Sequence, residues 1–283
     1  MRQSLISISL AVLVVVIWPA SALAATLPPL GTAGNYAVLA GQTVTNTGKT
    51  WITGQVGLSP GTSVTGFPPG TSGHQDVANP AAANAKADLT TAYLNAKGQT
   101  PCTTVGVNLG GRTLGSGIYC GGTMGITGGQ TLTLNGGGVY IFQIASTLIT
   151  GSASRVQLIG GAQPCDIFWQ VGSSATIATS TVFVGNIMAL TSISMQTGAV
   201  LNGRALAQNG AVTLDTNRII QPSGCGYSSP AYVPPPSGTP LPPTLGVPLE
   251  LRGEFPWLIL IGAGAGLSAT ALAVRSRRRR RTT

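Results

Sequence analysis

Six carboxylates, Asp76, Asp88, Asp166, Asp215, Glu250 and Glu254, and one histidine, His74, make up the whole acid–base inventory of 283 residues. Paired-acid catalysis and multi-histidine metal sites have almost nothing to draw on. The chain therefore reads as a non-enzyme with no metal, no cofactor and no small-molecule substrate. His74 and Asp76 stand two residues apart in a Gly/Pro-rich loop. No motif positions a nucleophile near them, and they read as a solvated loop pair. Trp169, within Phe168-Trp169-Gln170, alternates toward the core instead of presenting its ring to a sugar. The four cysteines, Cys102, Cys120, Cys165 and Cys225, are even in number and contain no CxxC, which favours disulfides over zinc or redox chemistry. Three connectivities satisfy that count. We favour Cys102 with Cys120, a local staple, and Cys165 with Cys225, which ties the last segment to the body.

The abundant side-chain chemistry is the hydroxyl. Among 34 threonines, several recur two apart: Thr43/Thr45, Thr45/Thr47, Thr131/Thr133 and Thr179/Thr181. On a strand, residues i and i+2 share a face about 6.6 Å apart, and neighbouring strands lie about 4.7 to 4.9 Å apart. A grid of methyls and hydroxyls at these spacings can order water into an ice-like layer, and charged neighbours would spoil it. The 7% charged content suits such a surface. Threonine is also simply a good strand former, and exposed Thr ladders occur as ordinary soluble β-surface.

A grid needs strands to carry it. Ala175 to Thr216 divides into seven hexads, ATIATS, TVFVGN, IMALTS, ISMQTG, AVLNGR, ALAQNG and AVTLDT. Their third positions are apolar (Ile177, Phe183, Ala189, Met195, Leu201, Ala207), with Thr213 the exception, and their last two positions are small or polar turn formers. This is the pattern of an all-β solenoid, in which each short strand is completed by the coils above and below, with three hexads per coil and a triangular cross-section. Thr131 to Leu134, Val139 to Ile144, Arg155 to Ile159 and Ile167 to Val171 fit the same scheme less regularly, and a Gly-rich β-sandwich is the rival arrangement. One stretch departs from it. Asn79 as N-cap, Pro80 at the first helical position, a run of alanines and Gly98 as terminator bracket a helix of about seventeen residues. Ala82, Ala85, Leu89, Tyr93 and Ala96 form its apolar stripe, and Lys86, Asp88 and Lys97 are expected near its solvent side. That helix should lie along the solenoid.

The formal charge of +9 is concentrated at the ends, since Arg2, Arg275 and Arg277 to Arg281 supply seven of the cations. The remainder has no basic patch with interleaved aromatics, which argues against a nucleic-acid partner. Residues 1–24 have the plan of a secretory signal peptide, with Arg2, an apolar run from Leu5 to Ile17, and cleavage expected after Ala24. Residues 226–255 are Pro-rich and read as an extended linker. Residues 256–275 read as a transmembrane helix, uncharged from Trp257 to Val274, and residues 276–283 as a basic cytoplasmic tail. The expected location is the cell membrane, single-pass, with the body at 25–225 outside. Leu241 to Thr244 resembles the start of a sortase sorting signal, which would direct the chain to the cell wall, but Leu245 stands where that pattern has glycine.

The run LGTAGNYAVLA from Leu30 to Ala40 is followed by TVTNTG at Thr43, GQVGLSPG at Gly54 and VTGFPPG at Val64. YIFQ then comes at Tyr140, FWQVGSSAT at Phe168, GRALA at Gly203 and GAVTL at Gly210. In this order the blocks resemble the bacterial and fungal ice-binding protein family built on the DUF3494 domain, across roughly residues 27 to 225. The resemblance implies an irregular right-handed β-solenoid with a long helix beside it. It also implies an N-terminal segment placed out of sequence order among the coils, and ice bound by one flat face. Residues around Thr43 and Thr45 and around Thr213 carry over best as contacts, whereas Thr131, Thr133, Thr179 and Thr181 rest on two-apart spacing alone. The expectation is an antifreeze or ice-adhesion protein tethered to the cell surface. The alternative is a structural or adhesive surface domain that contacts polysaccharide or other cells.

Overall fold

The computed structural model describes residues 24–225. The expected signal peptide, apart from Ala24, and the expected linker, transmembrane helix and basic tail lie outside the described residues. Among the described residues, no helix is long and apolar enough to cross a membrane.

Each short strand from Gly117 onward leaves half of its backbone bonds to a neighbouring coil, and the chain meets this need by winding. Gly117–Gly121, Met124–Ile126 and Thr131–Asn135 make one coil, and Tyr140–Ile144, Leu148–Thr150 and Arg155–Ile159 make the next. Ile167–Val171, Ala175–Ile177 and the first half of Val182–Ala189 follow. The second half of that long strand, Ile193–Met195 and the first half of Val200–Ala207 form a fourth coil. The second half of Val200–Ala207, Val212–Asp215 and Arg218–Ile220 complete a fifth. Successive coils pair in parallel, in a 14-stranded and a 7-stranded sheet. The architecture is thus mostly parallel β-sheet, stacked in a solenoid-like way, with one long helix.

The hexads set the period. Val182 pairs with Val200 and Val200 with Arg218, eighteen residues at each step. Ile193, however, pairs with Val212, nineteen residues on, because the corner at Gln208 to Ala211 holds one extra residue. That insertion explains the exception at Thr213. Leu214 takes the inward place opposite Met195, and Thr213 turns out to solvent. Where each long strand bends from one side to the next, Gly185 and Gly203 are stacked partners. A Cβ on Gly203 (φ +158°) would sit 1.9 Å from the Gly185 carbonyl oxygen, so the corner needs glycine.

The N-terminal segment is out of order. Tyr36–Ala40 pairs with Val200–Ala207, Thr43–Thr47 with Val212–Asp215, and Trp51–Thr53 with Arg218–Ile220. The first coil of the chain therefore lies on its last, and Gln55–Leu58 and Ser63–Thr65 extend the stack one coil further.

The helix Pro80–Gly98 covers one long side. Asn79 caps it by accepting the Ala82 amide at 2.9 Å, and Ala85, Leu89, Ala92, Tyr93 and Ala96 pack on the outward side chains Tyr36, Leu39, Leu206, Met188, Phe168, Ile141 and Ile118. Lys97 is exposed as expected, but Asp88 and Lys86 are half-buried and engaged. Asp88 accepts from the Thr32 amide at 2.7 Å and from its hydroxyl at 2.5 Å. Lys86 donates to the Ala207 and Gln208 carbonyls, and burial pulls its ammonium down to about 8. His74 is solvent-exposed as expected, but Asp76 is buried and accepts from the Tyr36 hydroxyl at 2.8 Å and Asn79 Nδ2 at 2.6 Å, with His74 Nε2 3.3 Å away. Burial pushes that carboxyl up, but the Asn79 and Tyr36 hydrogen bonds and His74 outweigh it and hold it below its ordinary range.

Inside the coils runs a file of rings. Tyr119, Phe142 and Trp169 stack with centroid separations of 5.3 and 4.0 Å, Phe183 follows at 4.8 Å tilted by 45°, and Trp169 Nε1 donates to the Val184 carbonyl at 2.9 Å. Two disulfides, Cys102–Cys120 and Cys165–Cys225, match the favoured pairing.

Candidate functional site

Of the three sides the coils present, the helix hides the first, so a surface that meets a partner must come from the other two. The 7-stranded sheet forms one of them. Its strands run in the order Met124–Ile126, Leu148–Thr150, Ala175–Ile177, Ile193–Met195, Val212–Asp215, Thr43–Thr47 and Ser63–Thr65. Register places Gly125 beside Ile149, then Thr176, Ser194, Thr213, Thr45 and Thr65. Five successive rows of that column thus carry a hydroxyl, at a row spacing of about 4.8 Å. Thr213, Thr45 and Thr65 are exposed, while Thr176 and Ser194 are half-buried.

Two residues earlier on each strand lies a second column. It contains Thr123, Thr147, Ser174, Ser192, Ala211, Thr43 and Ser63; Met124 N donates to Thr147 O, Leu148 N to Ser174 O, Ala175 N to Ser192 O and Ile193 N to Ala211 O, and Thr43 pairs with Ser63. The Thr123 and Thr147 hydroxyls are 3.3 Å apart, Ser174 Oγ accepts from the Ser192 amide at 3.4 Å, and Ser192 Oγ accepts from the Ala211 amide at 3.2 Å. These bonds fix hydroxyl orientation from coil to coil, and neither column contains a charged side chain. The nearest carboxylate, Asp215, aligns with Thr47 on the far rim, where the Thr197 and Thr216 hydroxyls donate to it.

The structure brings Thr43, Thr45 and Thr213 together, with Thr45 and Thr213 as direct register partners. The other candidates fall elsewhere. Thr131 and Thr133 lie on the 14-stranded sheet, beside Arg155 and Gln157, because their strand is the third of its coil and not the second. Thr179 sits in the turn after Ala175–Ile177, its hydroxyl 3.5 Å from Gln196 Oε1. Thr181 is fully buried, donating to Gly151 O at 3.1 Å and lying against Thr150 and Ser154. Ser180 between them adopts φ +56°, so the chain turns a corner and the two-apart rule of a strand does not hold. Thr65, Thr176 and Ser194 also belong to the column, although none of them has a threonine two residues away in sequence. Their signal was present, since Thr176 and Ser194 hold the second place of the first and fourth hexads, one coil apart.

Among the described residues, no cluster of three or more His, Cys, Asp or Glu side chains could hold a metal ion. The Ice-binding-like family model matches residues 38–220. The chain belongs to the Ice-binding-like family. An ice-binding protein of Nostoc sp. (strain HG1) is 45% identical over 225 residues, covering 76% of this chain and 82% of that protein. The crystal structure of an ice binding protein from an Antarctic biological consortium superimposes with a TM-score of 0.69 at 43% identity, covering 72% of this chain and 95% of that one. The ice-binding protein of the Antarctic ascomycete Antarctomyces psychrotrophicus gives 0.66 at 38% identity, over 70% of this chain and 99% of that one. The family match spans both halves of the hydroxyl sheet, from the strand of Thr45 to that of Thr213.

Proposed function

We propose that the chain binds ice through the hydroxyl columns of its 7-stranded sheet. The observation that carries this reading is the unbroken run Thr176, Ser194, Thr213, Thr45 and Thr65, in register, flanked by a second hydroxyl column and free of charge. In a right-handed solenoid of triangular cross-section this sheet is one whole side, and its methyl and hydroxyl rows meet ordered water together. Family membership and the names of the relatives point the same way. Nothing in this reading calls for catalysis.

The reading extends to location. Residues 1–24 direct export, residues 226–255 space the body from the membrane, residues 256–275 cross it and residues 276–283 stay in the cytoplasm. Tethered copies then meet a crystal many at a time, which raises the strength of attachment without any new contact per copy.

The test is ice recrystallisation inhibition and crystal shaping by the full chain. Thr213→Tyr places a ring in the middle of the column and is expected to lower activity about tenfold or more, with the melting temperature unchanged. A wild-type protein inactive at high micromolar concentration would overturn the proposal, and unchanged activity in the variant would remove that strand from the contact.

A further inference from the structure

The third position of every coil carries chemistry that the ice reading does not use. Along it Arg155 pairs with Val182, Val182 with Val200, Val200 with Arg218, and Arg218 with Trp51. At about 4.8 Å per row, the two arginines stand roughly 14 Å apart along the stack, and Trp51 lies one row beyond. Both arginines are exposed, and Trp51, 66% exposed, is the most open of the large apolar side chains described. Lys49, also exposed, precedes Trp51 by two residues. Arg155, Arg218 and Lys49 form no ion pair with a described carboxylate. Asp76 and Asp88 are engaged at the helix and Asp166 lies in the turn Pro164–Asp166, while Asp215, on the rim next to Gly48 and Lys49, is already taken up by the Thr197 and Thr216 hydroxyls. Beside the indole, a groove lined by Thr53, Gly54, Thr71, Ser72 and Gly73 offers hydroxyls and bare backbone.

We infer that this column is a second binding surface, for an anionic polysaccharide. The Trp51 ring stacks on a sugar face, the hydroxyls of Thr53, Thr71 and Ser72 meet sugar hydroxyls, and Arg218, Arg155 and Lys49 meet carboxylate or sulfate groups along the polymer. Guanidinium forks suit such oxyanions. Arg155 and Arg218 along one axis, with Lys49 beside the next row, match a linear chain of charges. A bilayer would be met by several large exposed apolar groups among the cations, whereas Val182 and Val200 between the arginines are half-buried, and Trp51 and Ile159, the exposed large hydrophobic residues on this side of the coils, lie four strands apart. This surface is a different side of the coil from the hydroxyl sheet, so glycan and ice can be held at once, and the inference stands whether or not ice is bound.

The test uses the full chain in nanodiscs of neutral phosphatidylcholine, titrated with alginate oligosaccharides and followed by tryptophan fluorescence and calorimetry. The basic tail is present in every variant, so differences between variants report the column alone. Arg155→Ser with Arg218→Ser is expected to weaken alginate binding about tenfold or more. Trp51→Ala should weaken it about fivefold and remove the fluorescence change, and dextran of matched length should bind about tenfold more weakly than alginate. Unchanged melting temperatures establish that the variants fold. Equal binding by wild type and the double variant would overturn the inference, as would equal affinity for dextran. So would preferential binding to phosphatidylglycerol vesicles that the double variant abolishes. Ice recrystallisation inhibition is expected to stay within about twofold of wild type in these variants, and a parallel loss would overturn the separation of the two surfaces.

Discussion

Asp76 shows how little of this molecule's ionisable chemistry is available for a reaction. Its carboxylate joins the strand of Tyr36 to the cap of the helix through two short hydrogen bonds. Because its folded pKa lies below the ordinary value of 3.8, the stability it contributes is complete above that value and is lost as pH falls through the folded one. Asp76→Asn should therefore cost about 1.5–3 kcal/mol near neutrality, and its deficit against wild type should shrink in urea unfolding below about pH 4. Sequence spacing placed His74 and Asp76 together and His74 in solvent correctly, but put Asp76 in solvent too, since nothing local announces that Tyr36, forty residues earlier, reaches that carboxylate. Arg204 and Asn186 taught the same lesson: both close a hexad where turn formers were expected, yet both are buried. Arg204 donates to the Gly34 carbonyl at 3.0 Å and to Asn186 Oδ1 at 2.9 Å, holding the N-terminal segment on the last coil.

At the scale of elements, the hexads made the eighteen-residue coil legible because each coil repeats the same inward positions, and helix capping and striping rest on strictly local rules. The hydroxyl columns were less legible. Neighbours in a column are eighteen or nineteen residues apart in the regular coils, and one inserted residue was enough to move Thr213 out of phase with its hexad. Corners obey a different constraint. The carbonyl of Gly185 lies where a Cβ on Gly203 would go. Gly203→Ala is therefore expected to destabilise by about 2–4 kcal/mol in urea unfolding, more than alanine at the uncrowded corner residue Gly115. Because the strain falls between two adjacent coils, backbone amide exchange should rise first along Val182–Ala189 and Val200–Ala207.

The whole molecule is held by two staples of different reach. Cys102–Cys120 spans 18 residues and Cys165–Cys225 spans 60, so loop closure predicts losses of about 3 and about 4 kcal/mol when each pair is replaced by serine, with the larger cost for the second. Thermal unfolding of the two double variants checks the order. The pairing of the first coil with the last also dictates a timetable for biogenesis. A chain synthesised from its amino end delivers Thr43–Thr47 first, but the strand that receives it, Val212–Asp215, follows only about 170 residues later. The surface assembled from both therefore exists only on complete molecules, and a prematurely terminated chain would have no working lattice at all.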